Sequence, residues 1–280
     1  MAAAQFKRAS KRFNFTGYLF ALLYAVTILV PLYFVVISAF KETGAIFSAP
    51  LELPTSWDFA NFFKAQDQAN LFGAMRVSAI VAVQAEILTL ILGFMAAYAV
   101  ARIPSRLAFV TETMFGLGFL IPAFALIVPV FLLAARVGLL YDPIYLVIFY
   151  TASRLPLTVV FLASYMRDVP KELEDAARID GANHLQIIRN VTFPLTISGV
   201  VTVLLLNFIF VWNEFLFALI LLPSDTRTVQ LVVPILKSER LVDYGLVSAG
   251  VVMSIIPVYL VFVFFQERIT SGMLSGSLKN

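Results

Sequence analysis

The hydrophobic positions of the chain fall into six long blocks. The first runs from Tyr18 to Phe40, 23 residues without a charge. A helix of that length crosses a hydrocarbon core of ~30 Å at ~1.5 Å per residue. Five more blocks follow at roughly 73–100, 107–134, 143–166, 195–222 and 244–265. Each is longer than the ~18 residues at which an apolar run reads as a spanning helix. Pro31, Pro122, Pro129, Pro156 and Pro257 fall inside the blocks, as packed membrane helices tolerate and soluble helices rarely do. The short alternating segments of a membrane barrel are absent. The pattern predicts an all-α polytopic bundle of six spans, a single transmembrane domain over 1–280.

The polar connections set the expected orientation. With the N-terminus inside, the inner stretches hold Lys7, Arg8, Lys11, Arg12, Arg102, Arg106, Arg167, Lys171, Arg178, Arg189, Arg268 and Lys279. The outer ones hold Lys41, Lys64, Arg76, Arg136, Arg227, Lys237 and Arg240. The excess of positive charge places both termini in the cytoplasm. The basic start, MAAAQFKRASKRF, precedes an apolar run too long for a signal peptide, whose core is about 7–15 residues, so it reads as a retained first span. Residues 41–72 form an outer segment with Trp57, Phe59, Phe62 and Phe63, suited to an interfacial or periplasmic helix. Residues 167–194 form the long inner loop.

Composition agrees with lipid as the main solvent: of 280 residues 61% are hydrophobic and 13% charged, with a mean hydropathy of +0.92. Soluble domains carry about 25% charged residues. A net charge of +3 gives no support to a nucleic-acid partner. With no cysteine and one histidine, disulfides, thiol chemistry and His-rich metal sites are excluded.

The loop 167–194 carries the most specific signal. Asp168 suits an N-cap and Pro170 an early helical position. Glu172, Glu174 and Asp175 sit in the first turns, where the helix dipole favours negative charge. Gly181 supplies the left-handed backbone on which helices end. A second short helix is expected from about Asn183 to Asn190, before Pro194 opens the next span. Ala176 and Ala177 leave a smooth surface, suited either to a groove in another protein or to lying on the membrane.

This loop resembles the signature of binding-protein-dependent ABC importer permeases: E-A-A, three residues, G, nine residues, I-x-L-P. Asp175-Ala176-Ala177, Gly181 and Val191-Thr192-Phe193-Pro194 keep the spacing, with Asp for Glu, Val for Ile and Phe for Leu. The string Ala-Ala-Arg-Ile-Asp-Gly-Ala at 176–182 is similar to the carbohydrate-importing branch. Trp212-Asn213-Glu214-Phe215 in span five and the Gly-containing tail at 271–279 resemble the six-span second permease of maltose-type importers. The resemblance implies a bacterial inner-membrane subunit that forms a sugar pathway with a second permease and receives solute from a periplasmic binding protein. It also implies that Glu174, Asp175, Ala176, Ala177, Asp180, Gly181, Ala182 and Pro194 dock a dimer of separate ATPase subunits. ATP and Mg belong to those partners; this chain has no G-x-x-x-x-G-K-[ST] loop, and no cofactor of its own is expected.

Charges inside a membrane are costly, which makes them candidates for function. Glu86, Glu112, Arg154 and Glu214 qualify, with Asn207 and Asn213 beside Glu214. Asn207 and Glu214 are seven apart, near one helical face. Glu86, Arg154, Asn207, Asn213 and Glu214 either line a hydrated pathway or bond neighbouring helices. Glu112 lies close enough to an interface to snorkel, and His184 reads as a surface residue. An ion-coupled secondary transporter also places carboxylates at mid-membrane, and a membrane anchor needs no polar interior. Neither requires a helix–Gly–helix module. The orientation is tested by single cysteines: at Ser10, Ser105 and Ser277 they are shielded from an impermeant thiol reagent in intact cells, and at Ala65 they label. Labelling at Ser105 with protection at Ala65 reverses the topology.

Overall fold

The computed structural model describes residues 15–236 and 242–277, with side chains over 16–236 and 242–266. Lys7, Arg8, Ser10, Lys11, Arg12, Lys237, Arg240, Lys279 and the side chains of Arg268 and of the 271–279 tail lie outside that range. Among the described residues the regular structure is helical throughout. The first half holds α1 (Phe15–Ser38), α2 (Thr43–Ser48), α3 (Ala60–Ala69), α4 (Leu71–Arg102), α5 (Arg106–Gly118), α6 (Ile127–Arg136) and α7 (Pro143–Arg167). The second holds α8 (Lys171–Ile179), α9 (His184–Ile187), α10 (Phe193–Leu195), α11 (Ile197–Asn213), α12 (Leu216–Leu221), α13 (Val229–Val232) and α14 (Tyr244–Ser277).

Four of the six expected spans are single helices: α1, α4, α7 and α14. The other two are broken. Span three is α5 and α6, separated by a 3₁₀ turn at Ala123–Leu126 and bent by 96°. Pro122 disfavours helical backbone at Ile121 and lacks a donor of its own. The loop arm His184–Leu195 meets span five at 77° beside Thr196, and the helix of span five stops at Asn213 before α12 begins. The continuous helices expected at 107–134 and 195–222 are therefore each assembled from pieces.

The bundle is organised on the pair α4 and α7. Ser78, Ala82, Ala85, Thr89, Gly93 and Ala97 are buried along one face of α4, at intervals of three or four residues. Small side chains at that spacing let helix backbones approach where lipid offers no hydrophobic drive. At Gly93 the approach is closest, since a Cβ there lies 2.5 Å from Thr158 Cγ2 of α7. The third helix enters at the same level: Asn207 Nδ2 of α11 donates to Thr158 Oγ1 at 3.0 Å. Trp212 Nε1 donates to the Ser254 carbonyl at 3.1 Å, tying α11 to α14.

The 41–72 segment caps the end remote from α8 and α9, hereafter the far end. It consists of α2 and α3 rather than one helix. Phe40 gathers Trp57, Phe59 and Phe62 at ring-centre distances of 4.9, 5.3 and 5.1 Å. Ala65 belongs to the packed face of α3 and is fully buried, so the accessible cysteine position for the topology test is Gln68 on the same helix.

At the other end one residue fastens the α8–α9 loop to the bundle. Glu174 is 2% exposed. Its Oε1 accepts from Arg102 Nε at 2.8 Å and from Thr192 Oγ1 at 2.9 Å, and its Oε2 from the Tyr98 hydroxyl at 3.2 Å. Arg102 also donates to the Val169 carbonyl at 3.1 Å. One carboxylate thus joins α4, α8 and the start of span five. Glu174→Ala leaves a buried guanidinium without its counter-charge, and removing one partner of such a pair costs about 3–5 kcal/mol. Replacing both, as Glu174→Leu with Arg102→Met, restores most of that loss. Thermal unfolding of the purified variants, with proteolysis across 171–190, measures the difference. Equal behaviour of the single and double variants removes the pair from any structural role.

Candidate functional site

The candidate site is the loop between α7 and α11, and its shape follows from local sequence. α7 ends with Asp168 still in right-handed helical geometry, so Asp168 closes α7 and does not cap α8. The N-cap position belongs to Pro170, extended at φ −57°, ψ 131°, without a side-chain cap. Glu172 and Glu174 occupy the first turn of α8 and Arg178 its last, each sign matching the dipole. Asp175 pairs with Arg178 at 2.7 Å on the surface.

Gly181 takes φ +84°. The Ala182 amide donates to the Ala177 carbonyl at 2.9 Å and the Gly181 amide to that of Arg178 at 3.0 Å. These two bonds are the paired closure that satisfies the last carbonyls of a helix. A Cβ at Gly181 meets nothing within 4 Å, so the requirement for glycine is conformational and not spatial. Asn183 then starts α9 with a reciprocal cap: its side chain accepts from the Gln186 amide, and Gln186 Oε1 accepts from the Asn183 amide at 2.8 Å.

The second arm does not stop at Asn190 as the sequence pattern suggests. It passes through a π-helical turn at Ile188–Thr192 into α10, which contains Pro194. A residue without an amide donor disturbs the ladder before it, and a wider turn absorbs the disturbance. Phe193 packs on Phe94 of α4 at 5.5 Å.

The two arms present one exposed surface. Leu173, Ile179 and Leu185 are 46%, 86% and 73% exposed, with Ala176 between them also exposed and Ala177 half-buried. Asp180 and His184 sit exposed at its edge. These exposed apolar side chains form a patch on the loop, on the face opposite the buried ion pair. Tyr98, Arg102 and Thr192, which fix that surface through Glu174, were missed as site residues by the sequence reading. Arg102 counted there only as an orienting charge, although Tyr98 and Arg102 stand four apart at the end of span two.

The polar residues within the spans divide. Asn207 is completely buried, with Oδ1 lacking a hydrogen-bond partner. Asn213 is exposed; its Nδ2 donates to the Ile209 carbonyl at 2.8 Å and its Oδ1 accepts from Gln230 Nε2 at 3.3 Å. Glu214 does not share a helical face with Asn207, because α11 has already ended. It accepts from the amides of Phe217 and Ala218 at 2.9 and 3.0 Å and from the Tyr150 hydroxyl at 2.6 Å, capping the start of α12. Glu112 forms a bidentate pair with Arg167 at 2.8 and 2.5 Å.

Glu86 and Arg154 behave differently. Glu86 Oε2 is buried without a hydrogen bond beside a 340 Å³ apolar cavity bounded by α4, α11 and α14. Arg154 borders a 430 Å³ cavity among α5, α7 and α12. Its guanidinium lies 3.4 Å from the centre of the Phe210 ring, in cation–π range.

Three comparisons bear on this arrangement. The sequence profile of the binding-protein-dependent transport system inner membrane component family matches residues 89–275. A diacetylchitobiose uptake system permease protein of Streptomyces coelicolor is 35% identical over 97% of this chain and 91% of its own length. The melibiose/raffinose/stachyose import permease protein of Bacillus subtilis is 28% identical over 93% of this chain and 95% of its own. Among solved structures, a chain of a bacterial ABC transporter involved in import of the acidic polysaccharide alginate superposes with a TM-score of 0.78. It has 23% identity and covers 95% of this chain and 99% of that one. None of this supports an ion-coupled transporter. The bent spans, the bolted helix–glycine–helix loop and the profile agree: the chain belongs to the family of binding-protein-dependent transport system inner membrane components, the permease subunits of ABC importers.

Proposed function

We propose that this chain forms, with a second permease subunit, the pathway of an importer for oligosaccharides or related sugars. A periplasmic binding protein delivers the solute, and separate ATPase subunits, which use ATP and Mg, dock on the α8–α9 loop. Both termini and that loop then lie in the cytoplasm. The observation that carries this reading is the exposed surface of Leu173, Ala176, Ile179 and Leu185 held by the buried Glu174. Its amphipathic form suits a groove in a partner. The sugar class is supported by the relatives named for diacetylchitobiose and for melibiose, raffinose and stachyose. A further relative, from Agrobacterium fabrum, is named for sulfoquinovosyl glycerol transport.

Within the membrane, Arg154 is the best placed of the sequence candidates to meet a solute. It borders a cavity and has no carboxylate within 4 Å among the described residues. Glu86 faces a second cavity, whereas Asn207 and Glu214 are engaged in holding helices together.

The docking role predicts two kinds of loss. Gly181→Val forces a β-branched residue into left-handed backbone at a cost of about 1–2 kcal/mol or more, and turns one arm against the other. Ala176→Asp leaves the loop folded but sets an unpaired carboxylate against the partner, weakening docking by about 2 kcal/mol or more. The half-buried Ala177→Asp combines both effects. Co-purification of the ATPase subunits, and hydrolysis stimulated by binding protein and solute, are both expected to fall in all three. Unchanged assembly and stimulation reduce the loop to a connector.

A further inference from the structure

A tyrosine occupies a backbone conformation that its neighbours do not require of a tyrosine. The turn between α6 and α7 contains two left-handed residues, Gly138 at φ +74° and Tyr141 at φ +68°. The first is a glycine, which accepts this geometry freely. The second is a bulky aromatic, for which it is an outlier. The turn itself is well made: the Leu139 amide donates to the Ala134 carbonyl at 3.0 Å, the Asp142 amide to that of Leu139 at 3.1 Å, and Asp142 caps α7. Glycine or asparagine at 141 serves all of those bonds at lower cost. A strained residue retained where a relaxed one fits points to its side chain.

That side chain stands over a cleft. Tyr141 is 52% exposed and borders a 590 Å³ cavity at the far end of the bundle. Phe215, 37% exposed at the break in span five, borders the same cavity. So does Arg227, whose Nε donates to the Ser224 carbonyl at 2.8 Å. Its terminal amino groups have no carboxylate within 4 Å, and the Tyr141 hydroxyl has no hydrogen-bond partner, among the described residues. The volume lies in the range of small-molecule sites.

Two aromatic side chains beside unused N–H and O–H donors match the two kinds of surface of a pyranose ring. Its C–H face carries slight positive charge and packs on the negative face of an aromatic ring. Its hydroxyls are acceptors for the guanidinium. Resting on the sugar-importer reading above, we infer that Tyr141, Phe215 and Arg227 form a saccharide contact at the far end of the pathway, where solute leaves the binding protein. Tyr141 is its specificity-determining residue. The strained turn holds the ring over the cleft.

The test uses cells carrying the complete importer and radiolabelled N,N′-diacetylchitobiose, melibiose and trehalose as probes. Tyr141→Gly relieves the backbone while deleting the ring, so misfolding does not explain a loss. Initial uptake of the transported disaccharide falls about tenfold, the worth of one good aromatic contact, while the membrane level of the chain and its co-purification with the second permease stay at wild type. Tyr141→Phe keeps most of the uptake, and Arg227→Gln lowers it. Wild-type uptake in Tyr141→Gly overturns the site. A drop that parallels lost co-purification overturns it as well, making the ring a subunit contact. A wild-type complex that takes up none of these three, nor any other mono-, di- or oligosaccharide of a labelled panel, fails at the earlier step, refuting the saccharide reading and this contact with it.

Discussion

The arrangement of this subunit depends on one buried carboxylate. Glu174 lies in a short and largely exposed loop helix, yet it is sealed against Arg102, Tyr98 and Thr192. A buried ion pair adds little net stability over well-packed apolar groups. Its value is in direction, because an unpaired guanidinium has no alternative position that is tolerable. That demand fixes which side of α8 faces the bundle, and so which side carries Leu173, Ala176 and Ile179 outward. The Gly181 closure and the Asn183–Gln186 cap then fix the second arm relative to the first.

A second constraint acts within the spans. Small residues along α4 allow α7 to come close, and the contact of Gly93 with Thr158 brings Asn207 into hydrogen-bonding range at the same depth. Breaks interrupt span three after Gly118 and span five after Asn213. Glu214 shows how such a break survives in lipid, where every exposed amide is expensive. Its carboxylate replaces the carbonyls that a continuous helix supplies to Phe217 and Ala218.

Hydrophobic block length is enough to read a helical bundle of several spans, and motif spacing is enough to find the loop and its glycine. Both are properties of residues close together in the chain. What escaped was long-range. The pairing of Arg102 with Glu174 joins residues 72 apart, and neither residue is unusual where it stands. Ala65 gave no sign of burial, since its environment comes from α14. The seven-residue spacing of Asn207 and Glu214 puts them on one face only while the helix between them is regular. The helix ends one residue too soon, and hydropathy does not register a break that a single carboxylate caps. Asp168 and Pro170 were displaced by two residues for a related reason: the preceding helix ran on and claimed the capping aspartate.

Glu174 is bonded to the last turn of a helix of 32 residues, which at ~1.5 Å per residue is about 48 Å long. The loop is therefore tied to one end of a long lever. A rotation of roughly 10° imposed on the loop carries the opposite tip through about 8 Å, given that length. The far tip of α4 adjoins α3 and the loop that bears Arg227. Any rotation passed to the loop would therefore be magnified at the opposite tip of α4, in proportion to that length.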